Sequence, residues 1–450
     1  MRKLNFRMLP LVFALAWPTM LEQLMQTAVQ YIDTAMVGSL GTDATAAVGS
    51  TTTVNWLVGS SVSALGVGFL AFISQSLGAG KRELAVRASS QSISAVLLSG
   101  LFFTAVTLAA SPAVPSLMQV DESIRKLASE YFFILYTPML FRTATIIFGA
   151  VLRAAGDSKT PMLVGFAVNI INVVLNFLLI YPTRTVNLFG RETVLYGADM
   201  GVIGAATASS VAFTAGGILI TAALLRHKTI APEKTFLRPD REILTPCLKV
   251  ALPNMLQRFG TSFGYVVFAS MINSLGEIST AAHTVANTVE SAFYIPGYGM
   301  QAAAATLMGN AHGAGDREKA KELSRLLIFI EVTLMILSGG LLFIFAERMA
   351  GLFSDSAEVI SLCSAVLRMV ALSEPFYGVS LIIEGMLQGI GNTKTPFIFN
   401  IAGMWGIRIA GTFICITLLS MGLISAWACM IGHNLMLFTA FALYYKKKYR

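Results

Sequence analysis

An aspartate inside an apolar stretch is the residue of this sequence whose position most needs a chemical explanation. Asp33 stands in the segment VQYIDTAMVGSLG, and the apolar stretch around it runs from about Met8 to Val37. A carboxylate at the centre of a membrane helix costs about 2.5–3.5 kcal/mol, and such groups usually mark ion or proton pathways. We therefore interpret Asp33 as a functional acid.

A stripe of asparagines could provide polar partners for this acid. Asn169, Asn172 and Asn176 follow one another at spacings of three and four residues in GFAVNIINVVLNFLLIYP, so they share one face of a helix. Each amide offers donors and an acceptor, and a carboxylate facing them can ionise or take up a proton. The stripe and Asp33 together predict a proton or sodium site. Alternatively, the stripe only holds neighbouring helices together.

Polar residues in apolar stretches of the second half are candidates for binding a cationic substrate. Glu290 and Glu374 are the acids of this kind, and Gln257 followed by Arg258 adds a polar pair. For Glu384, near a predicted helix end, a structural ion pair is an equal alternative. The chain also has 29 Phe and 21 Met, and aromatic faces attract organic cations.

The composition places all these residues in a membrane protein. Hydrophobic residues make up 55% and charged residues 12%, whereas soluble proteins carry about 25% charged residues. Apolar runs of about 20 residues separate clusters of charge, and continuous runs favour helices over barrel strands. We predict an all-α polytopic membrane protein with twelve transmembrane helices. The predicted spans are 8–37, 48–77, 88–112, 127–152, 161–182, 201–225, 246–273, 282–311, 324–346, 358–387, 396–420 and 423–445.

The basic residues predict the orientation of these spans. The two termini and alternate loops on their side contain about 23 of the 32 Lys and Arg, while the opposite loops contain about five. The positive-inside rule then places both termini in the cytoplasm. The net charge of +8 is explained by topology, so we expect no nucleic-acid partner.

An internal repeat organises the chain. LGAGKRELA at 77–85 corresponds to HGAGDREKA at 312–320, and AAGDSKTPM at 154–162 corresponds to GIGNTKTPF at 389–397, with the same offset along the chain in both cases. Each half contains six spans, so a pseudo-two-fold axis along the membrane normal should relate the two lobes. We predict lobes at 1–225 and 250–450 with a cytoplasmic linker at 226–249. Extra residues between the fifth and sixth spans predict an external hairpin or cap.

The sequence gives little support for a disulfide framework, a metal site or a cleaved signal peptide. The four cysteines and four histidines show neither disulfide nor metal-ligand spacing, so we expect no metal and no cofactor besides the coupling ion. The first residues look like a signal peptide, but the apolar run continues without a convincing cleavage site. We interpret it as an uncleaved first helix.

The order of several motifs resembles the multidrug and toxic compound extrusion (MATE) family. These are D-x-x-M-V-G-x-L-G at the end of the first span, LGAGK after the second, RAAGDSKTP after the fourth, NIINVVLN in the fifth and GNTKTP after the tenth. The resemblance covers nearly the whole chain. It implies a cation-coupled antiporter of the bacterial inner membrane that expels organic cations and drugs.

The resemblance also implies site residues. In one branch of the family the coupling site would comprise Asp33, Asn172, Asn176 and Thr207, to which the stripe adds Asn169. This sequence departs from that branch at Asn176, where the family has an aspartate. A second, acidic site of another branch would fall near 260–261 and at Tyr377, where this chain has no acid. We keep Tyr377 as a substrate-binding candidate.

These observations predict an antiporter with Asp33 as a protonation switch, and H⁺ is favoured over Na⁺ as the coupling ion. Its substrates would be small, cationic and amphipathic. Besides these substrates, membrane lipid is the expected partner. Nothing requires an oligomer, so we expect a monomer. The main alternative is a flippase for lipid-linked precursors or polysaccharides, for which intramembrane Arg is too sparse. A membrane enzyme would need a catalytic constellation, and none is visible.

Overall fold

Helices form almost all of the first half of the chain. The computed structural model describes residues 6–118, 120–188 and 191–449. The first half contains α1 (Leu9–Gly38), α2 (Thr42–Gly49), α3 (Thr52–Gly78), α4 (Arg82–Ala110), α5 (Val114–Leu117), α6 (Glu122–Tyr136), α7 (Met139–Ala154), α8 (Lys159–Leu179) and α9 (Gly201–Leu225). Between α8 and α9, the strands β1 (Pro182–Leu188) and β2 (Arg191–Ala198) pair in antiparallel fashion. The hairpin predicted between these two helices is therefore confirmed, and its external location stays a prediction.

The second half repeats this order without the hairpin. It contains α10 (Arg241–Asn273), α11 (Glu277–Phe293), α12 (Ile295–Gly313), α13 (Arg317–Gly351), α14 (Ala357–Ala371), α15 (Glu374–Gly389), α16 (Lys394–Gly403), α17 (Ala410–Phe413) and α18 (Leu423–Tyr449). Two π-helical segments, Met404–Ile409 and Ile414–Leu418, flank α17. Segments of this kind widen the helix and are frequent at functional sites.

Prolines break several of the predicted spans. Pro138 separates α6 from α7, which are bent by 49°, and α14 and α15 are bent by 54°. Pro296 stands in the first turn of α12, directly after α11. Proline removes a backbone donor and clashes with the preceding turn, so these spans are pairs of shorter helices.

The helices are long and apolar enough for a membrane. Among the described residues, eight helices pass this test alone, and the two bent pairs raise the number to ten. The other two predicted spans correspond to α10 and to the α11–α12 pair, and both are helical.

The turns reproduce the internal repeat. Glycines with positive φ occur in three pairs that share one sequence offset, the offset of the repeated motifs: Gly41 and Gly276, Gly80 and Gly315, and Gly156 and Gly391. Positive φ costs little only at glycine. Gly80 and Gly156, with their counterparts, follow the ends of helices, whereas Gly41 and Gly276 directly precede α2 and α11. The next helices then begin at equivalent positions, α4 at Arg82 and α13 at Arg317. The repeated glycine-rich segments at 77–85 and 312–320 are therefore turns between two helices.

The chain forms two compact units. The N-unit comprises Leu21–Phe69 and Arg82–Thr245, and the C-unit comprises the described residues up to Met20, Leu70–Lys81 and the chain from Pro246 onward. Within the C-unit, the beginning of α1 packs on α12: Thr19 Oγ1 donates to the carbonyl of Gly299 over 3.0 Å. The predicted division into residues 1–225, 226–249 and 250–450 stays a prediction about domain organisation.

The segment between α9 and α10 is fastened to α4 inside the N-unit. Gln91 Nε2 donates to the carbonyls of Phe236 and Arg238, and its Oε1 accepts from the amide of Asp240. Arg87 forms an ion pair with Asp240. Residues 236–240 of the predicted linker, which we call the strap, are thus ordered against α4.

Candidate functional site

Asp33 and two asparagines form a hydrogen-bonded network in the N-unit. Asp33 is half-buried on α1, five residues before the end of that helix. Asn176 Nδ2 donates to Asp33 Oδ1 over 2.6 Å and to Asn172 Oδ1 over 3.2 Å. Both asparagines project from the same face of α8 and are buried. The structure therefore brings together the acid and two residues of the predicted stripe.

The amide of Asn172 can respond to the protonation of Asp33. One of its terminal atoms lies 2.9 and 3.2 Å from the two oxygens of Asp33, and the other lies 3.0 Å from Ser209 Oγ. An amide oxygen 2.9 Å from an ionised carboxylate would be repelled, so in that state the amide nitrogen faces Asp33 and the amide oxygen accepts from Ser209, and the bond from Asn176 to Asn172 Oδ1 is lost. A protonated acid can instead donate to the amide oxygen, with the nitrogen turned to Ser209.

The remaining predicted members of the coupling site lie outside this network. Thr207 Oγ1 donates to the carbonyl of Ile203 on its own helix, over 2.8 Å. The amide nitrogen of Asn169 is buried without a hydrogen-bond partner. Ser209, which the sequence reasoning missed, is the hydroxyl residue of α9 that contacts Asn172. The run TASS at 207–210 was the signal that could have pointed to it.

Two cationic side chains of the N-unit have polar partners away from Asp33. Arg142 Nη1 donates to Asn55 Oδ1 over 2.5 Å, and its guanidinium lies over the ring of Phe213 at 5.0 Å. Arg153 forms an ion pair of 3.2 Å with Glu22. An ion pair thus accounts for Glu22, the other acid of α1.

In the C-unit, Glu384 is held by three amides. Its Oε1 accepts from Gln257 over 2.9 Å and from Gln388 over 3.0 Å, and its Oε2 accepts from Asn400 over 3.1 Å. Hydrogen bonds to an ionised acceptor are stronger than neutral ones, so this carboxylate is well solvated by the protein. The predicted substrate-binding candidate Gln257 therefore uses its amide nitrogen to bind Glu384.

The other candidate at this place has a local partner. Arg258 Nε donates to Asn254 Oδ1 on the preceding turn of α10, over 3.0 Å. Arg258 also lies within electrostatic range of Glu384. Gln257, Arg258 and Glu384 thus belong to one polar group.

Three further acids of the C-unit are completely buried. Glu290, Glu331 and Glu374 are 1%, 0% and 1% exposed. Both carboxylate oxygens of Glu331 and of Glu374, and Oε1 of Glu290, have no hydrogen-bond partner. Glu374 interacts electrostatically with each of the other two acids. The structure therefore places the predicted candidates Glu290 and Glu374 together, with Glu331 as an unpredicted third member.

A group of tyrosines lies beside these acids. The rings of Tyr294 and Tyr377 are 5.3 Å apart, and the hydroxyls of Tyr298 and Tyr377 are 3.5 Å apart. The hydroxyl of Tyr294 is within reach of the Glu290 carboxylate. Acids and aromatic rings of this kind can together bind an organic cation. Within the described residues, no group of three His, Cys, Asp or Glu could hold a metal ion.

A known family model matches the chain twice, once in each half of the internal repeat. The family model MatE matches residues 18–178 and matches again at residues 253–414. The chain belongs to the MatE family. The resemblance deduced from the motifs is thereby confirmed, and each half of the repeat is one MatE unit.

Individual relatives of this MatE chain agree with the assignment. The "Probable multidrug resistance protein NorM" of Thermotoga maritima is 26% identical over 418 residues, which cover 93% of this chain and 88% of that protein. The "Probable multidrug resistance protein YoeA" of Bacillus subtilis is 24% identical over 415 residues, covering 91% and 87%. Among solved structures, "Crystal structure of MATE in complex with MaD3S" matches with a TM-score of 0.90 at 24% identity, covering 98% of this chain and 95% of that one.

These matches decide the fold and the broad function. MATE transporters have twelve helices in two lobes, so the predicted all-α polytopic membrane fold is confirmed. The chain is a member of a family of multidrug efflux transporters and a multi-pass membrane protein. The flippase alternative is not favoured, because the relatives are named as multidrug resistance proteins.

Proposed function

We propose that this MatE protein is an antiporter that exports organic cations and drugs by alternating access, with H⁺ rather than Na⁺ as the coupling ion. The observation that carries the proposal is the network of Asp33, Asn176, Asn172 and Ser209 inside the N-unit. A half-buried acid with neutral amide partners can change its protonation state without breaking an ion pair. The acid then acts as a switch.

The choice of H⁺ rests on the atoms that face the acid. Asn176 directs its amide nitrogen at Asp33, and an ionised Asp33 requires the nitrogen of Asn172 as well. Hard metal cations such as Na⁺ prefer oxygen ligands, usually several carboxylates and carbonyls. One carboxylate surrounded by N–H donors suits a proton better.

The acids and tyrosines of the C-unit support a cationic and amphipathic substrate. Glu290, Glu374 and Tyr377 are the residues that we propose to attract it, through charge and through the ring face. The distribution of Lys and Arg supports both termini in the cytoplasm, and the resemblance to bacterial MatE relatives supports a bacterial inner-membrane location. We further propose that it works as a monomer, catalyses no reaction and needs no cofactor besides the coupling ion.

Transport into reconstituted vesicles tests this function. Ethidium transport by the purified protein would be measured under a pH gradient and, separately, under a sodium gradient. We expect transport under the pH gradient, its loss in Asp33→Asn, and its persistence in the control Asp43→Asn, which changes an exposed acid. Transport driven only by sodium would contradict proton coupling. Full activity of Asp33→Asn would contradict the switch.

A further inference from the structure

Arg408 is a buried cation without a hydrogen-bonded counter-charge. Its side chain lies in the π-helical segment Met404–Ile409, and the residue is 3% exposed. Its Nε and Nη1 atoms have no hydrogen-bond partner. Burying a charge is costly unless it is paired, and an unpartnered buried donor in a native protein calls for an explanation, such as a bound ion.

Aromatic rings account for part of the stabilisation of this guanidinium. Its Cζ lies 5.0 Å from the ring of Tyr265 and 5.3 Å from the ring of Phe268. Ring faces attract the charge, but they cannot accept the N–H bonds that lie in the guanidinium plane. These in-plane donors have the geometry with which arginine holds a carboxylate or another anion.

Further donors without partners lie around Arg408. His433 is 5% exposed, and neither of its ring nitrogens has a partner; the same is true of His283 Nδ1, Trp427 Nε1 and Thr412 Oγ1. We call Arg408 and these four residues the Arg408 cluster. A neutral histidine offers one N–H donor and one acceptor nitrogen. With the guanidinium, the Trp427 indole N–H and the Thr412 hydroxyl, the cluster still has more donors than acceptors.

Ring contacts and electrostatic range connect the members of the cluster. Phe268, under the guanidinium, is 5.7 Å from the ring of His283, which in turn is 5.8 Å from the ring of Trp427. Arg408 interacts electrostatically with both histidines. Thr412 follows Arg408 by one helical turn. The donors therefore occupy one region of the C-unit.

The acid within electrostatic range of Arg408 does not form a direct contact with it. Glu290 is within electrostatic range of Arg408, but its Oε1 has no hydrogen-bond partner. In the part of the chain that the structure describes, no ion pair joins the two side chains. An additional anion could satisfy Arg408 directly.

The Arg408 cluster lies in the part of the second half that is equivalent, in the repeat, to the Asp33 network of the first half. In the register of the repeated motifs, Phe268 corresponds to Asp33, and Ile407, next to Arg408, corresponds to Asn172. The first half therefore has an acid with amide partners where the second half has an arginine on aromatic rings. Arg408 itself corresponds to Val173, but its guanidinium lies over Phe268, the counterpart of Asp33.

We propose that the Arg408 cluster binds a small monovalent anion, either a halide or the carboxylate of a small organic acid. The anion lies in the plane of the guanidinium and accepts from the protonated N–H groups of the neighbouring rings. This proposal does not depend on the coupling ion or on the cationic substrate proposed above.

Thermal unfolding of the purified full-length protein tests anion binding. Sodium chloride, bromide or acetate would replace sodium methanesulfonate, whose anion is neither a halide nor a carboxylate, at constant ionic strength. We expect a saturable rise of a few degrees in the unfolding midpoint, absent in Arg408→Gln and retained in Arg368→Gln, which changes a half-exposed arginine paired with Glu347. Protection by chloride and bromide alone identifies a halide site, and protection by acetate identifies a carboxylate site. Equal anion dependence in wild type and Arg408→Gln would overturn the proposal.

A second measurement uses the wild-type protein and does not depend on the folding of a variant. Crystals soaked in sodium bromide would be examined by anomalous diffraction at the bromine edge. We expect a bromide peak within hydrogen-bond distance of Arg408, removed by a competing acetate soak if the natural ligand is a carboxylate. Ordered crystals with bromide peaks elsewhere and none at the Arg408 cluster would refute the proposed site.

Discussion

Asn176 donates a hydrogen bond of 2.6 Å to Asp33, although 143 residues separate them in the chain. Their counterparts in the second half of the repeat are Gly411 and Phe268, so the second half cannot form this contact. The duplicated scaffold therefore does not require it. A contact that is dispensable for the scaffold, and that contains an acid in an apolar helix, is best explained by function.

Replacing Asn176 with Leu should impair coupled transport. The substitution removes the 2.6 Å donor and leaves the carboxylate of Asp33 less well satisfied. Loss of a hydrogen bond to a charged group costs about 1.5–3 kcal/mol, and about 1.4 kcal/mol corresponds to a factor of ten. We expect ethidium transport under a pH gradient to fall at least about tenfold.

Asn169→Leu is the matched control for this experiment. Asn169 belongs to the same stripe of α8, but its amide nitrogen has no partner. This variant should transport like the wild type. The assignment of the network would be wrong if Asn169→Leu lost transport and Asn176→Leu kept it.

Replacing Glu331 with Met should stabilise the protein. Glu331 is completely buried and neither carboxylate oxygen has a partner. Removing a buried, unsatisfied polar group recovers about 1–3 kcal/mol, and Met has a similar length and adapts to irregular surroundings. The midpoint of thermal unfolding in detergent should therefore rise.

Glu331→Gln serves as the comparison, because it keeps the polar atoms and should bring less stability than Met. A lower midpoint for Glu331→Met than for the wild type would show that the acid is satisfied by a partner in solution. Transport by the stabilised variant would show whether the cell retains this acid for function at the expense of stability.

Adding a methyl group at Gly389 should destabilise the C-unit severely. A Cβ atom there would lie 2.0 Å from the carbonyl oxygen of Ala305, so α12 and α15 would have to separate. Overpacking of this kind costs about 1–3 kcal/mol, and backbone atoms yield less easily than side chains. We expect Gly389→Ala to lower the yield of folded protein and its unfolding midpoint.

Gly406 provides the control, since a Cβ atom added there meets nothing within 4 Å. Gly406→Ala should be neutral or slightly stabilising, because Ala is favoured over Gly in helices by about 1 kcal/mol. Equal effects at both positions would contradict the close packing of α12 on α15.

The sequence was sufficient to predict which regions are helical and where the repeat lies. Turns with positive-φ glycines are local features, so the constant offset between their pairs was readable from the motifs. The pairing of Asp33 with the stripe followed from charge and helical spacing. The bend between α14 and α15 was not predicted, because Pro375 stands at the beginning of the second helix and the residues before it remain apolar.

Which neighbours complete each site could not be predicted. Thr207 and Ser209 are two positions apart on α9, and so they point in different directions. That helix consists mainly of small and apolar residues around its whole circumference, so no pattern fixes its rotation. The three amides around Glu384 come from α10, α15 and α16. Gln388 is four residues from Glu384 on the same helix, a local spacing, but the approach of Gln257 and Asn400 depends on tertiary packing.

The strap between α9 and α10 should loosen in acid. The Arg87 guanidinium hydrogen-bonded to Asp240 holds the pKa of that carboxyl below its usual value. Because the pKa of Asp240 is depressed in the folded state, the ion pair fully stabilises the packing of the strap on α4 above the unfolded pKa of about 3.9. This stabilisation is lost as the pH falls through the lower, folded pKa. Hydrogen exchange should therefore show a protected Asp240 amide, which donates to Gln91, from about pH 5 to 8 and reduced protection below about pH 4.

Asp240→Asn should reduce protection at neutral pH as well and remove the acid transition. Glu242→Gln, which changes an acid exposed by 82% and 3.5 Å from Arg87, should leave both unchanged. An unaltered acid transition in Asp240→Asn would assign it to another group.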